Sequence, residues 1–184
     1  MAPKTVSRVR ELPPKSCFRG ETVYLLVGMG SEQEIFTEYK NILCFYFPGY
    51  FQGALSGAFS EASMDPLSMN AIDIRLYETV HYFLQRGQLS EDSDLSWEDL
   101  FRIWLFGDQH IIPALQNEVM DVLIAKFDTD RKVPAKCIPL IYSNALSEAH
   151  LRTLLVDWTL RTGLLYYEPV ATDLVNEQPM NLSV

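Results

Sequence analysis

The sequence has 184 residues, 48% of them hydrophobic and 21% charged, with a net charge of −9. A chain of this size buries a full core as one domain, and so apolar a composition excludes a wholly disordered chain. No run of about 18 apolar residues is present to span a bilayer as a helix.

The N-terminal stretch MAPKTVSRVRELPPK has no apolar segment behind its charges, so it lacks the pattern of a secretory signal. An intracellular protein of the cytoplasm, the nucleus or both is expected. The three cysteines, Cys17, Cys44 and Cys137, are far apart and show no CxxC spacing, which indicates neither a zinc site nor a disulfide framework. Residues 1–19 hold Lys4, Arg8, Arg10, Lys15 and Arg19 against Glu11 alone, a local +4 that leaves −13 for the rest. An acidic body argues against nucleic-acid binding, which needs a basic face to neutralise phosphate.

In chain order, residues 1–19 form a flexible basic arm interrupted by Pro3, Pro13 and Pro14. The run Thr22 to Val27 is β-branched and aliphatic. With Glu34 to Thr37 it predicts a hairpin turning at Gly28-Met29-Gly30. The unbroken apolar run predicts a first strand buried on both faces. Tyr39 to Phe47 predicts a helix broken at Pro48-Gly49, Tyr50 to Leu55 a short helix, and Pro66 to Asn70 another strand. A helix from Ala71 to Gly87 places Leu76, Val80, Phe83 and Leu84 on one face. The acidic stretch Ser90 to Asp94 is a polar loop.

Ser96 and Asp99 have capping-box spacing ahead of a stripe made by Trp97, Leu100, Phe101, Trp104 and Leu105. Pro113 suits a first helical turn, followed by Leu115, Val119, Val122 and Leu123 inward. Pro134 and Pro139 bracket a break. Residues 147–162 predict a last amphipathic helix with Leu151, Leu154, Leu155 and Trp158 on one side, and 163–184 predict a disordered tail. The expected class is α/β of the α+β kind, a small sheet covered by helices.

Residues in this order resemble the BTB/POZ family, in its fungal branch. Val27-Gly28, Ile35-Phe36, Tyr39-Lys40, Ile42-Leu43-Cys44, Pro48 with Tyr50-Phe51, and Phe59-Ser60-Glu61-Ala62 are similar to the opening of that fold. Phe83, Leu84 and Gly87 are similar to its aromatic helix end, and Ile112-Pro113-Ala114-Leu115 to its Ile-Pro-x-Leu segment. Tyr39 stands where the family has a histidine, Phe47 where it has a serine, and Gly49 is an insertion. The resemblance covers residues 20–162. It implies a BTB/POZ domain over 20–126 and a C-terminal helical extension over 127–162.

The same resemblance implies a protein–protein interaction module that is not an enzyme and carries no cofactor, with protein partners and neither nucleic acid nor membrane as ligand. The adaptor form of the family docks on a cullin ubiquitin-ligase scaffold through a hydrophobic-x-Glu signature. Leu89-Ser90-Glu91 has that form, with Tyr50 and Phe59 on the adjoining surface and Phe51 assigned to packing. The alternative is a stand-alone homodimer or heterodimer of BTB domains, for which Tyr39 and Lys40 mark the dimer and groove region.

Catalytic and ligand-binding patterns are weak by comparison. Gly28-Met29-Gly30 lacks the third glycine of a dinucleotide loop and the lysine of a phosphate loop. His81, His110 and His150 have no paired metal-ligand spacing. Asp108 and His110 suggest a hydrolase pair but no nucleophile-elbow motif accompanies them. The loop with Glu91, Asp92 and Asp94 lacks the length and glycine of a calcium loop.

Overall fold

A computed structural model describes residues 12–48, 51, 66–69, 72–89, 95–162 and 165–166. Its largest sheet has three strands in the order β2-β1-β3: β1 (Thr22–Met29), β2 (Glu32–Tyr39) and β3 (Leu67–Met69). β1 and β2 form an antiparallel hairpin, from Thr22 opposite Tyr39 to Met29 opposite Glu32. β3 joins the other edge of β1 in parallel, with Leu26 beside Ser68.

The hairpin runs two residues further than the sequence predicts, so the turn is Gly30-Ser31 and Gly28 lies within the strand. Gly28 has φ +112, and a Cβ there would stand 2.2 Å from the Glu32 carbonyl oxygen. Only glycine fits that approach.

Six α-helices are described: α1 (Lys40–Tyr46), α2 (Ile74–Arg86), α3 (Trp97–Gln109), α4 (Pro113–Asp130), α5 (Ile138–Asn144) and α6 (His150–Thr162). Their ends follow local chemistry. The Asp73 carboxylate caps α2 by accepting from the Leu76 N–H, and Gly87 ends it in the left-handed conformation. Ser96 and Asp99 form the reciprocal capping box of α3, each side chain accepting from the other's backbone N–H. Pro113 occupies the first turn of α4.

α2 covers the inner face of the sheet, where Phe36 meets Tyr77 edge-on at 4.8 Å between ring centres. Leu25, Val27, Met69, Leu76, Val80, Phe83 and Leu84 are all buried there. α3 is the central helix. Beyond the predicted stripe it also buries Ile103, Phe106 and Gly107, while Leu105 is only half-buried. Phe106 bridges to Phe47 and Tyr77. Among the predicted inward positions of α4, Leu115, Val119 and Leu123 are buried and Val122 is half-buried.

The C-terminal helices are joined to this core. Trp158 of α6 stacks on Phe127 of α4 at 4.4 Å and meets Trp97 of α3 edge-on at 5.9 Å. The Trp97 indole N–H donates to Asp130 at 3.1 Å. α4 itself runs through position 126, where the sequence pattern placed a boundary.

One expectation is corrected. β1 is not buried on both faces: Leu25 and Val27 point inward, whereas Tyr24 is 47% exposed and Leu26 half-buried. The predicted break is present between the end of α4 at Asp130 and the start of α5 at Ile138; it holds a short strand, β4 (Val133–Pro134), and a 3-10 turn, and Pro139 lies in the first turn of α5. Within the segment assigned to the tail, β5 (Leu165–Tyr166) pairs with β4 in parallel. The short helix predicted over Tyr50 to Leu55 lies outside the described residues except for Phe51, which is helical and buried.

The turn between α3 and α4 contains an unfavourable conformation. Ile112 N–H bonds the Gly107 carbonyl and Ile111 N–H that of Asp108, which places Ile111 at φ +55. Glycine is the usual occupant of such a helix-ending position, and a left-handed L-residue costs about 1–2 kcal/mol. Ile111 is 61% exposed, so little burial offsets this cost. Replacing Ile111→Gly is expected to raise the unfolding free energy by about 1 kcal/mol in urea denaturation.

Candidate functional site

Tyr50, Phe59 and Glu91 lie outside the described residues. Leu89 is 5% exposed and belongs to the core. Its backbone N–H donates to the Glu118 carboxylate at 3.2 Å, and Glu118 is itself buried on α4. Leu89 therefore fixes the chain after α2 onto α4 and presents no apolar surface to a partner. Phe51 packs edge-on against Phe47, in the core role assigned to it.

Tyr39 and Lys40 stand where β2 becomes α1. Lys40 is held twice by Glu21, its backbone N–H bonding the Glu21 carbonyl at 2.9 Å and its ammonium the Glu21 carboxylate at 2.8 Å. The Lys40 ammonium draws the Glu21 carboxyl below its usual value. Tyr39 is half-buried and supplies no side-chain cap to α1. Its register opposite Thr22 puts it at the end of the outer face of the sheet, where it also packs against the core.

That outer face is of one character across its three strands. Strand alternation directs Thr22, Tyr24 and Leu26 of β1 away from the helices, with Thr37 opposite Tyr24 and Ile35 opposite Leu26. Ser68 of β3 lies beside Leu26 and Gln33 closes the hairpin end. None of these side chains is charged, in a chain of net charge −9. Ile35 is 57% exposed, and Tyr24 about half. Interface centres are depleted of charge and enriched in aromatic side chains, and exposed apolar patches mark binding sites.

On the opposite face of β2 a buried acid organises the structure. Glu38 is 1% exposed. Its carboxylate meets His81 Nδ1 at 2.5 Å and accepts from Gln85 Nε2 at 3.2 Å and Tyr77 Oη at 3.5 Å. These three partners stand at i, i+4 and i+8 on α2, one side of the cylinder. The Glu38 contact raises the His81 pKa against the opposing effect of burial. Desolvation and the neighbouring carboxylate push the Tyr77 phenol well above its usual value. Sequence inspection missed this cluster, although its signal was present in the spacing of three polar donors along an otherwise apolar helix face.

The remaining candidates for chemistry are dispersed. His110 is buried against Phe106 and Phe47, and desolvation lowers its pKa. Asp108 accepts from Gln116 at 3.0 Å and lines a cavity of about 410 Å³ with Arg102 and Asn144. The described lining of that cavity includes neither His110 nor a serine. Among the described residues, no group of three His, Cys, Asp or Glu side chains is placed to hold a metal ion, and no helix is long and apolar enough to cross a membrane.

No protein-family model matches the sequence, and no curated protein is significantly similar to it.

Because Leu89 is enclosed by protein, Leu89→Ala is expected to lower the unfolding free energy by about 2–5 kcal/mol, as for other core leucines. Urea denaturation measures it. A change within about 0.5 kcal/mol would show a surface side chain instead.

Proposed function

We propose that this chain is a protein–protein interaction module of the BTB/POZ kind, without a catalytic site of its own, that docks its partner on the outer face of the β2-β1-β3 sheet. The observation that carries the reading is the uncharged, solvent-open face bearing Tyr24, Leu26 and Ile35 on an otherwise acidic chain. Burying such a face sacrifices no ion hydration, and each Å² of apolar area removed from water contributes roughly 25 cal/mol before the costs of association. The element order, a hairpin followed by a helix, a third strand parallel to the first and then helices, supports the BTB/POZ assignment made from the sequence pattern.

The specific form of the reading is a substrate adaptor for a cullin-type ubiquitin ligase. Its sequence basis is Leu89-Ser90-Glu91, and the burial of Leu89 leaves any direct contact there to the residues that follow it. The second reading is a stand-alone dimerisation or scaffold module. It is favoured by the same uncharged face, since two chains of net charge −9 repel least when they meet through a surface without charge.

A photo-crosslinking amino acid at position 35, with the same probe at exposed Thr129 as control, tests the face. Position 35 is expected to yield one discrete adduct that is lost in Tyr24→Lys, whereas position 129 yields none. Equal yields at both positions would contradict the proposal. An immobilised cullin N-terminal region that fails to retain the intact chain removes the ligase branch, and light scattering showing a strict monomer at micromolar concentrations removes the homodimer.

A further inference from the structure

Glu38 is the penultimate residue of β2, and Tyr39 and Lys40 follow it directly into α1. The corner between strand and helix is therefore held onto α2 by whatever satisfies the Glu38 carboxylate. Tyr77, His81 and Gln85 do so, and only His81 can change its charge near neutral pH. Its side chain is 37% exposed while that of Glu38 is inaccessible, so protons reach the imidazole from solvent while the acid stays enclosed.

We propose that Glu38 and His81 form a proton-operated latch that seats the β2–α1 corner on α2 when His81 is protonated and loosens it when His81 is neutral. A buried carboxylate is expensive without an opposite charge, and hydrogen bonds from neutral donors compensate only part of the cost. The neutral tautomer with its proton on Nδ1 keeps the hydrogen bond and loses the charge. The ionisable groups facing His81 are Glu38 from β2 and, beside that acid, Tyr77 on α2. The Phe36 ring, 5.8 Å from the imidazole, and the Gln85 amide complete the site without charge. Glu38 is the charged group that raises the His81 pKa.

The direction of the effect follows from linkage. The folded chain holds the His81 proton more tightly than the unfolded chain. The latch therefore contributes fully below the ordinary histidine value, near 6.5, and is lost as pH rises through the raised folded value. Tyr39 lies on the outer sheet face, so opening the corner deforms one end of the proposed docking surface. The latch belongs to the fold, and only its effect on binding rests on that surface being the docking site.

The test uses the intact chain. The His81 ring is titrated by NMR, and amide exchange at Glu38, paired with Val23 in the ladder, and at Lys40, bonded to the Glu21 carbonyl, is followed over the same pH range with correction for intrinsic base catalysis. The expected result is a His81 midpoint above 6.5 and a loss of protection at both amides centred on that midpoint, with no such step in His81→Gln. Should that variant fail to fold, the wild-type ring and amide titrations decide alone. A His81 midpoint at or below 6.5, or protection that does not change across it, overturns the latch. If the step is found while crosslinking at position 35 is indifferent to pH, the latch stands and its link to binding fails.

Discussion

A carboxylate with no access to water must find its partners within the protein, and Glu38 finds three of them on one side of a single helix. Satisfying one acid from positions 77, 81 and 85 fixes the rotation of α2 about its axis, because only one side of a helix presents residues spaced by four. With that rotation set, Leu76, Val80, Phe83 and Leu84 turn into the core. It also decides which sheet face the helices cover. Removing a partner from such a buried group generally costs more than the pair contributes to stability, so the cluster constrains the arrangement more than it strengthens it.

From this contact the core extends through aromatic rings. Phe36 meets Tyr77, Tyr77 meets Phe106, and Phe106 meets Phe47 and His110. At the far side, Trp97, Phe127 and Trp158 join α3, α4 and α6. Edge-on and stacked pairs of this kind add about 0.5–1.5 kcal/mol each to their area burial. The helices after α4 are thus built on the same core as the sheet. Gly107 permits the close approach of α3 and α4, since a Cβ there would meet Gln116 Cγ at 3.0 Å.

What was legible in the sequence was mostly local. Ser96 with Asp99, Pro113, Gly87 and the hairpin before α1 each carry their instruction within a few residues, and the structure follows them. What was not legible required knowing a partner across space. Tyr24 and Leu26 continue an apolar run, and nothing in that run says that helices cover only the other face. Glu38 looks like a third solvated acid beside Glu32 and Glu34 until α2 is laid over it. Leu89 matches a docking signature by residue type, while its environment, enclosed and tied through its backbone to Glu118, is set by α4 nearly thirty residues later. Tyr39 was singled out for its place in a family pattern. Its position on the outer face comes from strand register.

The proposed docking face carries no charged side chain, and a buried acid on the other side of the same strand orders it. The most direct measurement of whether the face is open is hydroxyl-radical footprinting of the isolated chain, read by mass spectrometry at each tyrosine. Tyr24 is expected to oxidise rapidly and Tyr77 slowly, with Tyr39 between them. Tyr24 protected to the same degree as Tyr77 in the isolated chain would show the face already covered and would rule it out as an open docking surface.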